Sequence, residues 1–164
     1  MSHLIDNFSA QILLALQEDG RLSVQDLSNK IGLSTTPTWR RLKSLEESGI
    51  IKRYSTELDR NSVGLRNCVF AEVNLERHGE SMVDEFEDAV RKCEYIIDCF
   101  STTGQADYLL KVLTPDMGSY DVFLHNVIFK LPGVKEIRSA VVLREVKSNA
   151  PLPLLHLKDT AEHR

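Results

Sequence analysis

The residues of this sequence with the clearest capacity for chemistry are the cations between Arg21 and Arg53. This segment holds seven Lys and Arg residues against three Asp and Glu, a local charge of +4 in a chain whose net charge is −4. Attraction to phosphate is short-ranged in physiological salt, so a basic face is enough for binding nucleic acid. A charged run can also be a solvated helix face, and the surrounding elements must decide between these interpretations.

Two helical patterns precede the densest part of the basic segment. Apolar residues at helical spacing predict a first helix that Asp6 or Asn7 caps. Ser23, followed by Asp26 three residues later, is a variant of the capping box and predicts a second helix. Gly32 is expected to end that helix, because glycine readily takes the left-handed backbone conformation of a C-cap.

A third helix follows at once and carries most of the cations. Ser34 is the expected cap, Pro37 fits the first turn, where a missing N–H does no harm, and Gly49 ends the helix. Two helices, a tight turn and a third helix form a helix-turn-helix. Residues 50–58 are extended in character, and we expect them to form the strand of a wing.

Helical phasing divides the third helix into a core face and a solvent face. Thr38, Leu42 and Leu45 are expected to face inward, with the Thr38 hydroxyl bonded back to a helical carbonyl. The opposite face suits duplex DNA, because Arg40 or Arg41 can contact a guanine edge in the major groove. The predicted DNA-contacting residues are Ser34, Thr35, Thr36, Pro37, Arg40, Arg41, Lys43, Lys52 and Arg53. Trp39 is expected to pack between helix and wing, with stacking near the DNA backbone as the alternative.

The periodicity changes after residue 67 to alternating strands and amphipathic helices. The predicted strands are residues 68–75, 95–103, 108–114 and 134–146, and the predicted helices are residues 82–92 and 117–131. The fold class is therefore α+β, an N-terminal winged helix-turn-helix followed by a ferredoxin-like β-α-β-β-α-β sandwich domain. We assign residues 1–58 to the DNA-binding domain, 59–67 to a linker, 68–147 to the α/β domain and 148–164 to a C-terminal arm and tail. Both helices lie on one face of such a sheet, so we expect the other face to be buried by association with a second copy of the chain.

Other chemistries find little support in the sequence. The five histidines (residues 3, 78, 125, 156 and 163) are scattered, and no phosphate loop, nucleophile elbow or zinc-protease motif is present, so we predict no catalytic residue, no cofactor and no enzyme. Cys68, Cys93 and Cys99 form no C-x-x-C pair, which favours reduced thiols in a cytoplasmic protein. A zinc site from Cys93, Cys99 and a histidine is a poorly spaced alternative, and we expect no metal. No apolar run approaches the roughly 18 residues of a membrane span.

Several segments, taken in order, resemble the Lrp/AsnC family of transcription regulators, also called leucine-responsive or feast/famine regulators. These segments are Ile5-Asp6-Asn7, the stretch Arg41-Leu42-Lys43-Ser44-Leu45-Glu46, Gly104-x-x-Asp107-Tyr108-Leu109-Leu110, and Leu131-Pro132-Gly133-Val134. The resemblance runs from about residue 5 to residue 155. It implies a C-terminal domain that binds a small effector, usually an amino acid, and that forms dimers through its sheets and often octamers. It also implies a cytoplasmic, nucleoid-associated regulator of amino-acid metabolism genes.

The loop from Gly104 to Tyr108 has two interpretations. The residues alone predict a hairpin connection, with glycine and aspartate in their usual turn positions. The resemblance implies that this loop builds the effector site at a subunit interface, where amides hold an α-carboxylate and Asp107 organises groups near an α-ammonium. The effector-binding residues implied in this way are Thr102, Thr103, Gly104, Asp107, Tyr108, Ile137 and Ser139. Ile137 departs from the family, in which many members carry Thr.

These observations together predict a sequence-specific DNA-binding transcription regulator that responds to an amino acid or a related metabolite. The rival hypothesis is a pure assembly partner, whose C-terminal domain joins other regulators and whose basic helix is incidental. A purified assembly partner would fail to shift its own promoter fragment, whereas a regulator would retain it.

Overall fold

The computed structural model describes residues 5–76 and 80–154, and it divides into two compact units. The first unit contains the chain up to Glu57 and the segment from Lys147 onward, and the second contains Leu58–Val146. Four of the five histidines (residues 3, 78, 156 and 163) and the tail beyond residue 154 lie outside the described residues. The sequence did not anticipate that the segment after residue 146 groups with the N-terminal helices.

The first unit is a three-helix bundle whose boundaries follow local signals. Its helices are α1 (Asn7–Glu18), α2 (Val24–Ile31) and α3 (Thr35–Glu47). Asp6 caps α1 by accepting a hydrogen bond from the Ser9 amide at 2.7 Å, and Ser23 and Asp26 form the predicted capping box of α2. Gly32 ends α2 at a φ of 69°, a conformation that other residues rarely adopt. The buried core of the unit consists of Ala10, Ile12, Ala15, Leu27, Ile31 and Leu45.

The predicted wing strand at residues 50–58 is wrong. No strand forms there, because the backbone finds no neighbouring strand in the described part of the first unit. The segment is held instead by single contacts. The Ile51 amide donates to the Leu45 carbonyl at 3.0 Å, and the Tyr54 hydroxyl donates to the Glu46 carboxylate at 2.8 Å.

The second unit is a four-stranded antiparallel sheet with two helices. Its elements are β1 (Asn67–Leu75), α4 (Glu80–Arg91), β2 (Ile96–Ser101), β3 (Tyr108–Thr114), α5 (Met117–Asn126), a 3₁₀ turn (Ile128–Lys130) and β4 (Val134–Val141). The strand order is β2-β3-β1-β4, which is the predicted ferredoxin-like arrangement. Val69, Ala71 and Val73 of β1 form the core together with side chains of the helices, among them Phe86 and Tyr120.

Two predicted elements end well before their expected last residue, and the predicted linker forms turns. α5 stops at Asn126, because Val127 leaves the helical region and the chain continues as a 3₁₀ turn rather than reaching residue 131. β4 ends at Val141 and not at residue 146, because its one partner among the described strands is β1, and Val141 is already paired with Val69 near the start of that strand. The predicted linker, residues 59–67, forms hydrogen-bonded turns in which Asp59 accepts from the Asn61 amide at 3.0 Å.

Candidate DNA interface and ligand loop

The solvent face of α3 presents polar groups, as its phasing predicted. Thr38 and Leu45 are buried, and the Thr38 hydroxyl donates to the Ser34 carbonyl at 2.9 Å, which confirms the expected bond to a helical carbonyl. Thr35, Thr36 and Arg40 are exposed on the other side of the helix. This face therefore offers short hydroxyls in the first turn of the helix and a cation in the second.

The N-terminus of α3 has uncapped amides. Ser34 occupies the cap position, but its side chain makes no capping hydrogen bond, unlike Asp6 on α1 and Ser23 on α2. The first N–H groups of a helix have no partner within the helix, and they carry the positive end of its dipole. Such groups suit a phosphate oxygen.

Arg40 and Arg41 differ in their surroundings. Arg41 is partly buried, and its Nε and Nη2 atoms donate to one Asp6 oxygen at 3.1 and 2.9 Å. Its guanidinium also lies 5.5 Å from the centroid of the Phe8 ring. Arg40 is exposed and makes no hydrogen bond or ion pair with any residue that the structure describes. Arg40 is therefore available to an external partner, whereas Arg41 already has one.

Asp6 serves two helices at once. One carboxylate oxygen caps α1 through Ser9, and the other binds Arg41 of α3. Partial burial acts to raise the pKa of this carboxyl, but the hydrogen bonds from Ser9 and Arg41 outweigh it, and the pKa lies below its usual value. The carboxylate is thus charged at neutral pH and fixes the start of α1 against α3.

The remaining predicted DNA contacts fall into two groups. Lys43 forms an ion pair with Glu47 at 3.5 Å, and its ammonium lies 5.2 Å from the centroid of the Trp39 ring. The Trp39 side chain is 49% exposed, so the expected packing between helix and wing is wrong. Lys52 and Arg53 are exposed and have no hydrogen-bond or ion-pair partner among the described residues.

Hydrogen bonds from Thr102 join the two ends of the loop between β2 and β3, and the tip of the loop is exposed to solvent. The Thr102 amide donates to the Asp107 carbonyl at 2.9 Å, and its hydroxyl donates to the Ala106 carbonyl at 2.6 Å. Thr103 and Gly104 are exposed, and the amides of residues 103–106 donate no hydrogen bond to any part of the chain that the structure describes. The loop therefore presents a run of free N–H groups.

Asp107 anchors this loop to the end of the sheet. One of its carboxylate oxygens accepts from the Leu75 amide at 2.9 Å, and its own amide donates to the Val73 carbonyl at 3.1 Å. Asp107 remains exposed, and its second oxygen accepts no hydrogen bond within the described residues. That oxygen can accept from an incoming ammonium without disturbing the anchor.

The other three implied effector residues lie on the helix-covered face of the sheet, apart from the loop tip. Tyr108 is buried, and its hydroxyl donates to the Glu87 carboxylate of α4 at 3.0 Å. Burial raises the pKa of Tyr108 to about 12, and the hydrogen bond to Glu87 adds to this effect. Ile137 packs against the same core, and the Ser139 hydroxyl lies 2.6 Å from that of Tyr120.

Sequence reasoning missed the residues that hold these groups. Asp6 was identified as a helix cap, but not as the partner of a residue 35 positions later. Glu87 and Tyr120 were not singled out, because they belong to amphipathic helices in which a polar atom at the edge of the apolar face is ordinary. No local signal in the sequence announces these contacts.

The described residues offer little for metal binding, thiol chemistry or membrane insertion. No group of three or more His, Cys, Asp or Glu side chains is arranged to hold a metal ion there. Cys68, Cys93 and Cys99 are free thiols. His125 is exposed, and its Nδ1 atom lies 3.0 Å from the Asp121 carbonyl. In the same part of the chain, no helix combines the length and the apolar character needed to cross a membrane.

Two protein-family models match this chain, and together they span most of it. The model described as the Lrp/AsnC ligand binding domain matches residues 68–152. A model described as a winged helix-turn-helix DNA-binding domain matches residues 5–52. The first match includes the loop between β2 and β3, and the second includes α3.

Characterised relatives and solved structures agree with these matches. A Bkd operon transcriptional regulator of Pseudomonas aeruginosa is 39% identical over 92% of this chain and 98% of its own length. The leucine-responsive regulatory protein of Escherichia coli is 39% identical over 88% of both chains. A transcriptional regulator of Neisseria meningitidis, solved as a complex with L-Met, superposes with a TM-score of 0.89 at 37% identity, over 93% of this chain and 98% of that one. An AsnC family regulator of Agrobacterium tumefaciens gives a TM-score of 0.88 at 35% identity, over 92% and 98%.

Proposed function

The chain belongs to the Lrp/AsnC family of DNA-binding transcription regulators, and we propose that it contacts its operators through α3 and senses an amino acid through the loop between β2 and β3. The observation that carries the DNA assignment is the contrast between two neighbouring arginines. Arg40 is exposed and unpaired among the described residues, whereas Asp6 holds Arg41. Arg40 is therefore the proposed base contact, and Arg41 positions α3 against α1.

The other proposed contacts bind phosphate and do not select a base. The uncapped amides after Ser34 and the hydroxyls of Thr35 and Thr36 suit the backbone on one side of the groove. Lys52 and Arg53 suit it on the other, because both are exposed cations without an internal partner in the described residues. Lys43 and Pro37 complete the proposed surface.

Alanine substitutions at Arg40 and Arg41 separate base contact from positioning. We expect Arg40→Ala to lower operator affinity by about 5- to 150-fold and to reduce discrimination against altered operators, since a bidentate base contact contributes about 1–3 kcal/mol. Arg41→Ala should keep the base preference and lose less affinity. Gel shifts with operator and scrambled duplexes at two salt concentrations measure both properties. Unchanged affinity in both variants would contradict the assignment of α3 to DNA.

The proposed effector is an amino acid. The free amides of Thr103 and Gly104 suit an α-carboxylate, and the open oxygen of Asp107 suits an α-ammonium. The Neisseria relative, whose solved structure is a complex with L-Met, supports this ligand class. A ligand at this loop alters regulation only if it binds one assembly better than another.

Calorimetry across the twenty amino acids tests this proposal. At least one should give a binding heat that Asp107→Asn greatly reduces, because Asn still accepts from the Leu75 amide but lacks the charge. Asp84→Asn, which alters an exposed carboxylate on α4 outside the loop and outside the proposed assembly face, is the matched control and should change nothing. No heat with any amino acid would remove the effector claim and leave the DNA claim intact.

We further propose that the chain forms homodimers and octamers, acts in the cytoplasm on nucleoid DNA of amino-acid metabolism genes, and catalyses no reaction. The sheet face opposite the helices supports assembly, because it carries the exposed Phe100 and the paired opposite charges of Asp98 and Lys111. Such a mixed face can match a second copy of itself across a two-fold axis. Sedimentation velocity should show dimers or larger species, and a monomer at all concentrations would contradict this part.

A further inference from the structure

The C-terminal segment Lys147–Leu154 returns to the DNA-binding unit and docks on it. We call this segment the arm. The Leu152 amide donates to the Gln17 side-chain oxygen at 2.5 Å, and the Gln17 side-chain nitrogen donates to the Leu152 carbonyl at 3.3 Å. Asn149 of the arm also donates to the Glu57 carboxylate at 2.9 Å. One glutamine of α1 thus holds both polar groups of one arm residue.

The arm sequence suits this kind of docking. Pro151 and Pro153 flank Leu152 and have no N–H, so Gln17 receives the one amide proton that this stretch offers. A residue before proline prefers an extended backbone, and prolines reduce the conformational entropy lost on ordering. Asn149 turns the chain at a φ of 49°, a left-handed conformation that Asn tolerates better than most residues.

The arm lies beside the segment that carries two proposed phosphate contacts. A cavity of about 360 Å³ separates α1 from residues 50–54, and its lining includes Lys52 and Arg53 together with Leu152 and Leu154 of the arm. Residues 50–58 form no sheet ladder, so the second strand that would normally support a wing is missing from the described first unit. The arm occupies the neighbouring position.

We propose that the arm of each chain supports residues 50–58 of the same chain, here called the wing segment, so that Lys52 and Arg53 are held where they can contact phosphate. Gln17 is the positioning residue. This inference rests on the proposed phosphate contacts of these two cations. It makes the arm part of the DNA-binding apparatus.

Gln17→Ala in the full-length chain is the primary test. The variant should weaken binding to duplex DNA by about threefold or more and flatten the salt dependence, because each phosphate contact contributes a slope of about 0.9 and about eightfold in affinity at 0.1 M salt. When Gln17→Ala is added to the double variant Lys52→Ala/Arg53→Ala, DNA affinity should fall little further, because the two phosphate contacts through which Gln17 acts are already absent. Gln11→Ala is the matched control, because within the described residues the Gln11 side chain bonds only to Asn7 of the same helix.

Hydrogen exchange at the Leu152 amide follows docking without DNA. The amide should be protected in the parent chain and in Gln11→Ala, and should lose protection in Gln17→Ala. This measurement separates the two proposals. Full affinity of Lys52→Ala/Arg53→Ala would overturn the phosphate contacts, whereas an unprotected Leu152 in the parent chain would overturn the docked arm. Equal weakening by Gln17→Ala in both backgrounds would show that Gln17 acts elsewhere, and would overturn the link.

A mixed assembly tests whether the arm serves its own chain. One chain carries Gln17→Ala with an intact arm, and the other keeps Gln17 but stops after Val146. If each arm docks only on its own chain, the mixed dimer has no docked arm, because one chain lacks Gln17 and the other lacks the arm. Its DNA affinity should then be as low as that of Gln17→Ala dimers. Affinity restored above that level would mean that arms are exchanged between copies and would overturn the assignment to the same chain. A chain that stops after Leu154 should bind like the full-length protein.

Discussion

The ion pair between Asp6 and Arg41 is expected to set how firmly α3 is held, and its contribution can be separated from the helix cap. Asp6→Asn keeps the cap, because Asn is as good an N-cap as Asp, but it removes the charge that faces Arg41. Asp6→Ala removes both. The side chains of Arg41 and Asp6 are 32% and 48% exposed, so the pair belongs among partly exposed ion pairs, which contribute about 0.2–1 kcal/mol.

The expected magnitudes follow from these two roles. Asp6→Asn should lower the free energy of unfolding of the first unit by about 0.5 kcal/mol. Asp6→Ala should lower it by about 1.5 kcal/mol, since a lost N-cap adds about 1 kcal/mol. A double-mutant cycle with Arg41→Ala should return a coupling of about 0.5 kcal/mol. Urea unfolding followed by the fluorescence of Trp39, the only tryptophan, reports on α3 and hence on this unit.

The sign of the pH dependence is also fixed. The folded pKa of Asp6 lies below its usual value of 3.8, so the contribution of this carboxylate is present above that pH and is lost as the pH falls through the lower, folded pKa. Asp6→Asn should remove this part of the acid sensitivity. A coupling below about 0.2 kcal/mol, or an Arg41→Ala variant that alters base preference as strongly as Arg40→Ala, would refute the division of labour between the two arginines.

Three further predictions concern the second unit. Gly133→Ala should destabilise the second unit by about 2–4 kcal/mol, because Gly133 has a φ of 70° and an added Cβ would overlap the Met82 side chain. Urea unfolding followed by circular dichroism measures this loss, and an unchanged midpoint would contradict the packing. Tyr108→Phe should reduce the loss of stability between pH 10 and about 12, since a raised pKa gives stability that is complete below the unfolded value of 10.0 and disappears through the folded value. Absorbance titration at high pH checks the assignment, which fails if Tyr108 ionises near pH 10.0. Ser139→Ala should lower the free energy of unfolding by about 1–3 kcal/mol, because it leaves the hydroxyl of the buried Tyr120 without its partner. Tyr120→Phe should lower it less, and the reverse order in thermal unfolding would argue against that bond.

The helix-turn-helix was predictable because its signals are local. The capping box of Ser23 and Asp26, the break at Gly32 and the buried Thr38 each depend on residues within one or two turns. The strand order of the second unit followed from periodicity and chain order for a similar reason. Its strands and helices are long enough to show their buried faces, and few topologies accommodate the β-α-β-β-α-β sequence.

The prediction of a wing strand was wrong because an extended segment forms a strand only when a neighbouring strand pairs with it. Residues 50–58 carry Ile51, Tyr54 and Leu58 with polar residues between them, but the backbone groups of a strand must pair with a neighbour, and none is present in the described first unit. The same reasoning explains why β4 ends early, since it cannot continue past the end of β1. Strand length is therefore decided by the partner as much as by the residues themselves.

The sequence by itself determined the two units, the helices that begin and end at their caps, and the cationic face that suits DNA. Only the tertiary structure decided which of two adjacent arginines is free, because Asp6 reaches Arg41 across 35 residues of chain. It also joined Tyr108 to Glu87 and Ser139 to Tyr120, and brought the arm back to Gln17, 135 residues earlier in the chain. Local periodicity reflects which face of an element is buried. The partner of each polar atom is set by contacts between distant segments, which no short stretch of sequence encodes.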